Sequence, residues 1–403
     1  MGKLSLFLVL GFSILYIVLG GNSNKLSSRS VENMADYNAR TIAHNIAVSG
    51  TNLACNQLFL NGAWDDGYNK DFENGSFSAS VQVLDPWKNI RKLTTTANFG
   101  GVNKTIEVIF QPSSFAKFAY LSINDPSNLY WSGKDTIFGP FHSEGNINAY
   151  NHPVFMGKAT TKGTVKYLTN EANDAPRFFG GFESGVSVTF PSGELDNIKT
   201  LATDDGHVFS GKDTVYVTFD GDSIKYRFNY NEIPTTVLAS SLAPNGVIYA
   251  ENTILRLQGV VKGKYTIACN GTDPKGNVYL DDNLTYNSDP RINPDSQDML
   301  GIVSKNNVKI TENEANKSSI DIHASIFCET GGFGAGWPSF TKPNGNINLL
   351  GGIQNYRRVQ IGIIQGSEIW GFSRRYKYDP RLMIASPPGY PDTGKLEIVS
   401  WFE

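Results

Sequence analysis

Hydrophobic and polar positions along this chain follow three successive regimes. Leu4–Leu19 is almost continuously apolar, broken only by Ser5, Gly11, Ser13 and Tyr16, and it carries no charge. Extended to Gly21 it reaches about 18 residues, the lower end of the length that crosses a bilayer as a helix. Lys3 ahead of it and the small pair Gly20–Gly21 behind it also suit a cleaved secretory signal. Residues 1–21 are therefore expected to be a transmembrane anchor or a signal, and either one exports the rest of the chain. Lys3 on one side and Lys25 and Arg29 on the other leave the orientation open.

After the polar stretch Asn22–Ser30 the period becomes helical. Val31, Ala35, Ala39, Ile42, Ile46 and Leu53 mark one face, with Ala43, Ala47 and Ala54 beside them; Glu32, Asn33, Asp36, Asn38, Arg40 and Asn45 occupy the other. The pattern predicts an amphipathic helix to about Leu60, ended by Asn61-Gly62. From Ser76 the period is two. Ser76–Asp85, Lys92–Phe99 and Lys104–Pro112 alternate as strands, separated by turn signals at Asp85-Pro86 and Gly100-Gly101. Residues 31–125 thus read as a helix laid on a small sheet.

The third regime, residues 131–371, repeats one local pattern: a Gly, Asn or polar residue leads into an Asn, and a short strand follows. It occurs at Gly145–Tyr150, Glu251–Leu257, Gly276–Leu280, Asn306–Ile310 and Gly345–Leu350. Short strands at this density without helices between them predict a β-helix (β-solenoid) whose rungs turn at Gly or Asn, although no strict period can be counted. An antiparallel sandwich with Asn-rich turns is the alternative. Residues 167–230 break the pattern and are expected to be an insertion carrying a short helix near Glu194–Thr203. Residues 372–403 are expected to form a Pro-rich turn and then a strand, Lys395–Phe402, that caps a sheet edge or the end of the solenoid.

Composition narrows the function. Hydrophobic residues make up 40% and charged residues 18%, enough for a large core. A formal net charge of −3 without any Lys/Arg cluster argues against a nucleic-acid partner. Cys55, Cys269 and Cys328 are too few for a disulfide scaffold. They read as free thiols, with a Cys269–Cys328 bridge as the alternative.

Several stretches in chain order, Lys92–Gln111, Trp131–Ile147, Tyr376–Leu382 and Ser386–Glu403, resemble the pilin-like, PilX-type pilus assembly proteins that carry a domain of unknown function. That resemblance implies an N-terminal anchor, a helix, a small sheet and a β-helical body in the bacterial cell envelope. It also implies inner-membrane anchoring with a periplasmic or extracellular body, partnership with pilin or pilus-assembly proteins, and no catalysis. The chain departs from the pilin pattern near its start: Gly11-Phe12 imitates a processing junction, but the preceding leader is apolar and Tyr16 stands where a Glu is usual.

No catalytic, cofactor-binding or metal-binding set stands out. His44, His142, His152, His207 and His323 are scattered; His142 and His152 flank one hairpin-like stretch and are the pair to test for a shared metal. Asp220-Gly221-Asp222 reads as an exposed turn rather than a calcium loop. A polysaccharide lyase or hydrolase would need paired acids, for which Asp281, Asp282, Asp321 and Glu329 are the candidates. A surface adhesin would use exposed rings to stack on surface glycans, with Trp131, Trp337 and Trp370 as candidates. The chain is expected to be a non-enzymatic envelope protein.

Overall fold

The computed structural model describes residues 2–85, 89–335, 343–365 and 368–403, and the protein is mainly β. It divides into two units: Met1–Pro112 with Gly394–Glu403, and Ser113–Thr393. Pro86 and Trp337 lie outside the described residues.

In the first unit a single α-helix runs from Gly2 to Leu60. It does not stop at Asn22–Ser30, where the sequence pattern marks a boundary. Asn, Ser and Gly lower helix propensity there, but no proline removes a backbone hydrogen bond, so the helix continues. An 18-residue window of this helix has a mean hydropathy of 2.3 and none of it is buried, so by length and composition it suffices to cross a membrane. The last third is amphipathic: Ala43, Ile46, Ala47, Gly50, Thr51, Ala54 and Leu58 are buried. They pack on Phe77, Ala79, Leu93, Ala97, Ile106, Val108 and Phe110, the inward residues of the sheet. Gly50 permits this approach, since a Cβ there would lie 2.6 Å from the Phe77 ring.

That sheet is antiparallel, ordered Tyr68–Phe72, Gly75–Asp85, Ile90–Phe99, Val102–Ser114 and Asp392–Phe402. Two of its hairpins turn on residue pairs with positive φ, Glu73-Asn74 and Gly100-Gly101, the geometry that two-residue hairpin loops require. The outward residues are polar and pair across strands: Lys92 with Glu107 at 2.6 Å and Asn98 with Asn103 at 2.7 Å. The C-terminal strand covers the open edge beside Val102–Ser114, the first of the two capping positions expected of it.

The second unit is built by parallel stacking, compatible with the expected β-helix. One column is continuous in register: His207, Ile248, Ile267, Ile302, Ile326, Ile353, Tyr120, Phe141, Ala159 and Phe182. All but its two terminal members are buried. Burying each isoleucine contributes about 1.5–3 kcal/mol, so this column is a principal stabilising element. A second parallel run joins Thr214–Gly221, Ile254–Val261, Val278–Tyr286, Val308–Ile310 and Phe333–Ala335. A third joins Ser319–Cys328, Pro343–Arg357, Glu368–Lys377, Thr136–Phe138, Val154–Phe155 and Arg177–Phe178.

The column does not follow chain order. The chain enters in the middle at Tyr120 and stacks outward to Phe182, then resumes at His207 at the opposite end and stacks back until Ile353 pairs beside Tyr120. Residues 185–206 make the crossing along the outer face. Phe190 stacks on Phe327 at 4.7 Å, the Gly193 N–H donates to Glu329 at 2.7 Å, and Leu195, Ile198 and Ala202 pack with Tyr249, Ala268 and Val303. This corrects the expected insertion at 167–230. Arg177–Ser184 and His207–Arg227 are rungs and hairpin within the stack, and only the crossing with its helix Glu194–Asp205 lies over it. The body also extends beyond 131–371, because Tyr120–Asn124 and Glu368–Lys377 both pair inside it.

Asparagine fixes the corners. Asn146, Asn277 and Asn307, each just ahead of a strand, accept through Oδ1 from the backbone N–H of the next turn: Thr164 at 3.0 Å, Asn307 at 3.0 Å and Gly332 at 3.1 Å. The C-terminal Pro-rich segment packs on the same outer face as the crossing. Tyr390 fits over Gly301, where a Cβ would stand 2.6 Å from its ring, and its hydroxyl donates to Gln354 at 2.6 Å.

Candidate functional site

The residues that sequence reading flagged are not gathered into one centre. Asp281 is held by Arg256 at 2.6 and 2.9 Å and by the Thr311 hydroxyl at 2.6 Å. Asp282 accepts from the neighbouring Asn283 N–H at 2.7 Å, while Glu329 is buried between Lys305 and the Gly193 N–H. Asp321 faces a cavity. His142 and His152 have separate partners: His142 bonds Thr160 and Glu144, and His152 bonds the Ala175 carbonyl. Among the described residues no group of three His, Cys, Asp or Glu side chains is arranged to hold a metal. Asp220 and Asp222 flank a hairpin turn and pair with Lys225 at 2.6 Å and Lys262 at 2.7 Å, as a turn would. Trp131 is core, stacked under Arg358 at 4.0 Å, so it offers no face to a sugar.

Cys269 and Cys328 are both buried and free. In register Ser304 stands between them, paired to each, so two rung spacings separate their backbones, roughly 9–10 Å. A disulfide tolerates at most about 7 Å between Cα atoms, which excludes the bridge. Burial pushes both thiols up to about 12, as expected of inert core cysteines.

A concave feature with a volume of about 760 Å³ belongs to the second unit. Its floor is three paired strands: Asp321, Asn348 and Arg375 lie in register, and so do His323, Leu350 and Lys377. Because alternate residues share a face, Asp321 and His323 present beside Arg375 and Lys377. The wall is the loop that follows Tyr286, contributing Asn287, Asp289, Arg291 and Asn293.

Electrostatics in the cavity are uneven. Asp289 grips Arg291 through both carboxylate oxygens, and that pairing holds the Asp289 carboxyl at about 2. Asp321 accepts from Asn348 Nδ2 at 2.7 Å. The His323 ring accepts the Tyr286 N–H on Nδ1 at 3.1 Å, so the neutral ring carries its hydrogen on Nε2, 3.3 Å from the Arg291 guanidinium. Burial first, and Arg291 second, lower the His323 pKa against the pull of Asp289 and Asp321. Arg375 and Lys377 are exposed and make no described hydrogen bond or ion pair. The sequence showed His323 only as one of five scattered histidines, and the meeting of His323 with Arg291, Arg375 and Lys377 was not legible because it depends on rung register. The only local signals were the spaced pairs Asp321/His323 and Arg375/Lys377.

The distinctive motif Tyr376–Leu382 turns out to be architectural. Asp379 is fully buried and paired with Arg381 at 2.6 Å, and Arg381 donates to the carbonyls of Ser296 at 2.7 Å and Asp298 at 2.9 Å. Removing one partner of such a buried pair costs about 3–5 kcal/mol, so the motif clamps the C-terminal segment to the body.

No protein family matches the chain, and no curated protein matches it either. Among solved structures, the competence-associated pilin ComZ from Thermus thermophilus is similar at 12% identity and a TM-score of 0.27, with 89% of this chain and 96% of that chain covered. A TM-score of 0.27 is below the level that establishes a shared fold.

Proposed function

We propose that this protein is a non-enzymatic structural component of the bacterial cell envelope, pilin-like and accessory to a type IV pilus. In this reading the N-terminal helix anchors it in the inner membrane and the stacked body stands in the periplasm or outside the cell. The observation that carries the reading is the division of labour along one continuous helix. Its residues Gly2–Asn38 are exposed and, from Leu4 to Leu19, almost wholly apolar, while Ala43–Leu58 are seated on the small sheet. An apolar helical face with no partner in its own chain is stabilised by lipid or by neighbouring helices. The body is inserted between Val102–Ser114 and Asp392–Phe402, strands that are neighbours in that sheet, so the helix-and-sheet unit is completed by both ends of the chain. The separate pairing of Asp281, Asp282 and Glu329 supports the non-enzymatic part.

A photo-crosslinking residue placed at Leu8 or Leu15 in the full chain, in its native envelope, tests the partner. Covalent adducts with pilin or assembly-platform subunits are expected. Adducts with lipid alone would leave an anchored protein and remove the pilus from the account. The second reading, a surface adhesin or glycan-binding solenoid, is favoured by one observation only, the polar cavity described above.

A further inference from the structure

We propose that the cavity lined by Arg291, Asp321, His323, Arg375 and Lys377 is a binding site for a short acidic saccharide, one carrying carboxylate or sulfate groups. The inference does not depend on pilus incorporation, only on the body being presented to a surface that displays such sugars.

Three observations converge on it. The first is charge: three permanent cations, Arg291, Arg375 and Lys377, face two carboxylates; Asp289 is paired with Arg291, while Asp321 accepts from the neutral Asn348 amide and keeps its charge, so the lining carries one net positive charge. The two cations on the floor strand have no described partner. They are set two residues apart on one face of Glu368–Lys377, so an anionic group can lie across both. The second is shape. A volume of about 760 Å³ falls within the range of about 300–1,000 Å³ typical of ligand sites, and the parallel rungs make a floor of side chains at regular spacing, suited to a ligand with repeating units. The third is lining chemistry. Asn287, Asn348, Ser288 and Thr285 supply amide and hydroxyl groups that pair with sugar hydroxyls, and Tyr286, Ile292 and Leu349 add apolar surface for the faces of sugar rings.

Arg291 is pre-positioned for this role. Its guanidinium is gripped by both oxygens of Asp289, so less side-chain freedom is lost when a ligand docks against it. The floor cations Arg375 and Lys377 outnumber the one floor carboxylate, Asp321, and supply the excess positive charge.

Calorimetric titration of the full chain in detergent, at low salt, tests the site with tetragalacturonate as probe. Neutral cellotetraose, inorganic phosphate and a short single-stranded oligonucleotide of matched charge serve as comparators. Saturable tetragalacturonate binding is expected, weakening as salt rises and falling tenfold or more in the double variant Arg375→Gln with Lys377→Gln. Lys225→Gln, on the hairpin Ser223–Arg227, is expected to leave it unchanged. In the unmodified chain, bound tetragalacturonate is expected to shield Arg291 and Arg375 from an arginine-directed reagent, a readout that survives if the double variant misfolds. Absence of saturable binding, binding undiminished in the double variant, or equal or tighter binding of cellotetraose, phosphate or the oligonucleotide would overturn the assignment.

Discussion

His142 shows how single side chains hold the long crossing of the second unit in place. Its ring is fully buried; Nδ1 lies 2.8 Å from the Thr160 hydroxyl and Nε2 3.1 Å from Glu144, which the neutral tautomer protonated on Nε2 satisfies. Glu144 in turn accepts from Ser187 and from the Val188 N–H, at the start of the crossing, and from Lys162. Burial raises the Glu144 pKa, but those hydrogen bonds outweigh it and the group titrates below its ordinary value. Burial lowers the His142 pKa from 6.5, against the opposing pull of Glu144 and Asp125. Burial likewise lowers His207 and, with Arg291, His323. The sign follows: between the lowered native values and 6.5 the unfolded chain binds more protons, so stability rises with pH through that window and is lost as pH falls. Thermal melts from about pH 7.5 to about pH 5.5 should show a declining midpoint, and His142→Gln should flatten part of that slope. A midpoint that rises on acidification would contradict this account.

At the scale of elements, local chemistry explains the pieces that were legible in sequence. Glu73-Asn74 and Gly100-Gly101 adopt the positive φ values of tight hairpins, though only the glycine pair announced itself as a turn; the other was recognisable only from the strand beside it. Asn146, Asn277 and Asn307 each lie in the Asn-led pattern that predicted stacked rungs, and each spends its side chain on the next turn's backbone. The C-terminal strand was visible as an alternation, but its partner was not, because the strand beside it is Val102–Ser114, far away in sequence. Leu396 on that strand is buried in the core under the helix. A stop after Thr393 removes Leu396, for which loss of a core leucine alone costs about 2–5 kcal/mol, and bares the edge of Val102–Ser114. The truncated protein should unfold less cooperatively and elute as aggregates. A monomeric elution profile with an unchanged melt would show that the strand contributes little.

For the whole molecule, composition and period indicated an apolar N-terminal segment, a helix-and-sheet unit and a strand-rich body, and the structure contains all three. The route of the chain was not legible. Register between Ile353 and Tyr120 is set by long-range stacking, and no local pattern records that the body is entered in its middle and completed from the far end. The same long-range register assembles the cavity from Asp321, Asn348 and Arg375, which is why its cations did not read as a site while isolated acids drew attention. The helix carries the central claim, since its apolar first third is exposed among the described residues and its last third is fixed to the sheet. The most direct test is the intact mass of the mature protein recovered from membrane and soluble fractions of its native cell. The account expects it in the membrane fraction, either whole or shortened after Gly11, with Phe12–Leu19 retained in both cases. A soluble protein lacking about the first 20 residues would mean that the apolar segment is a cleaved signal, and the anchored, pilin-like reading would be wrong.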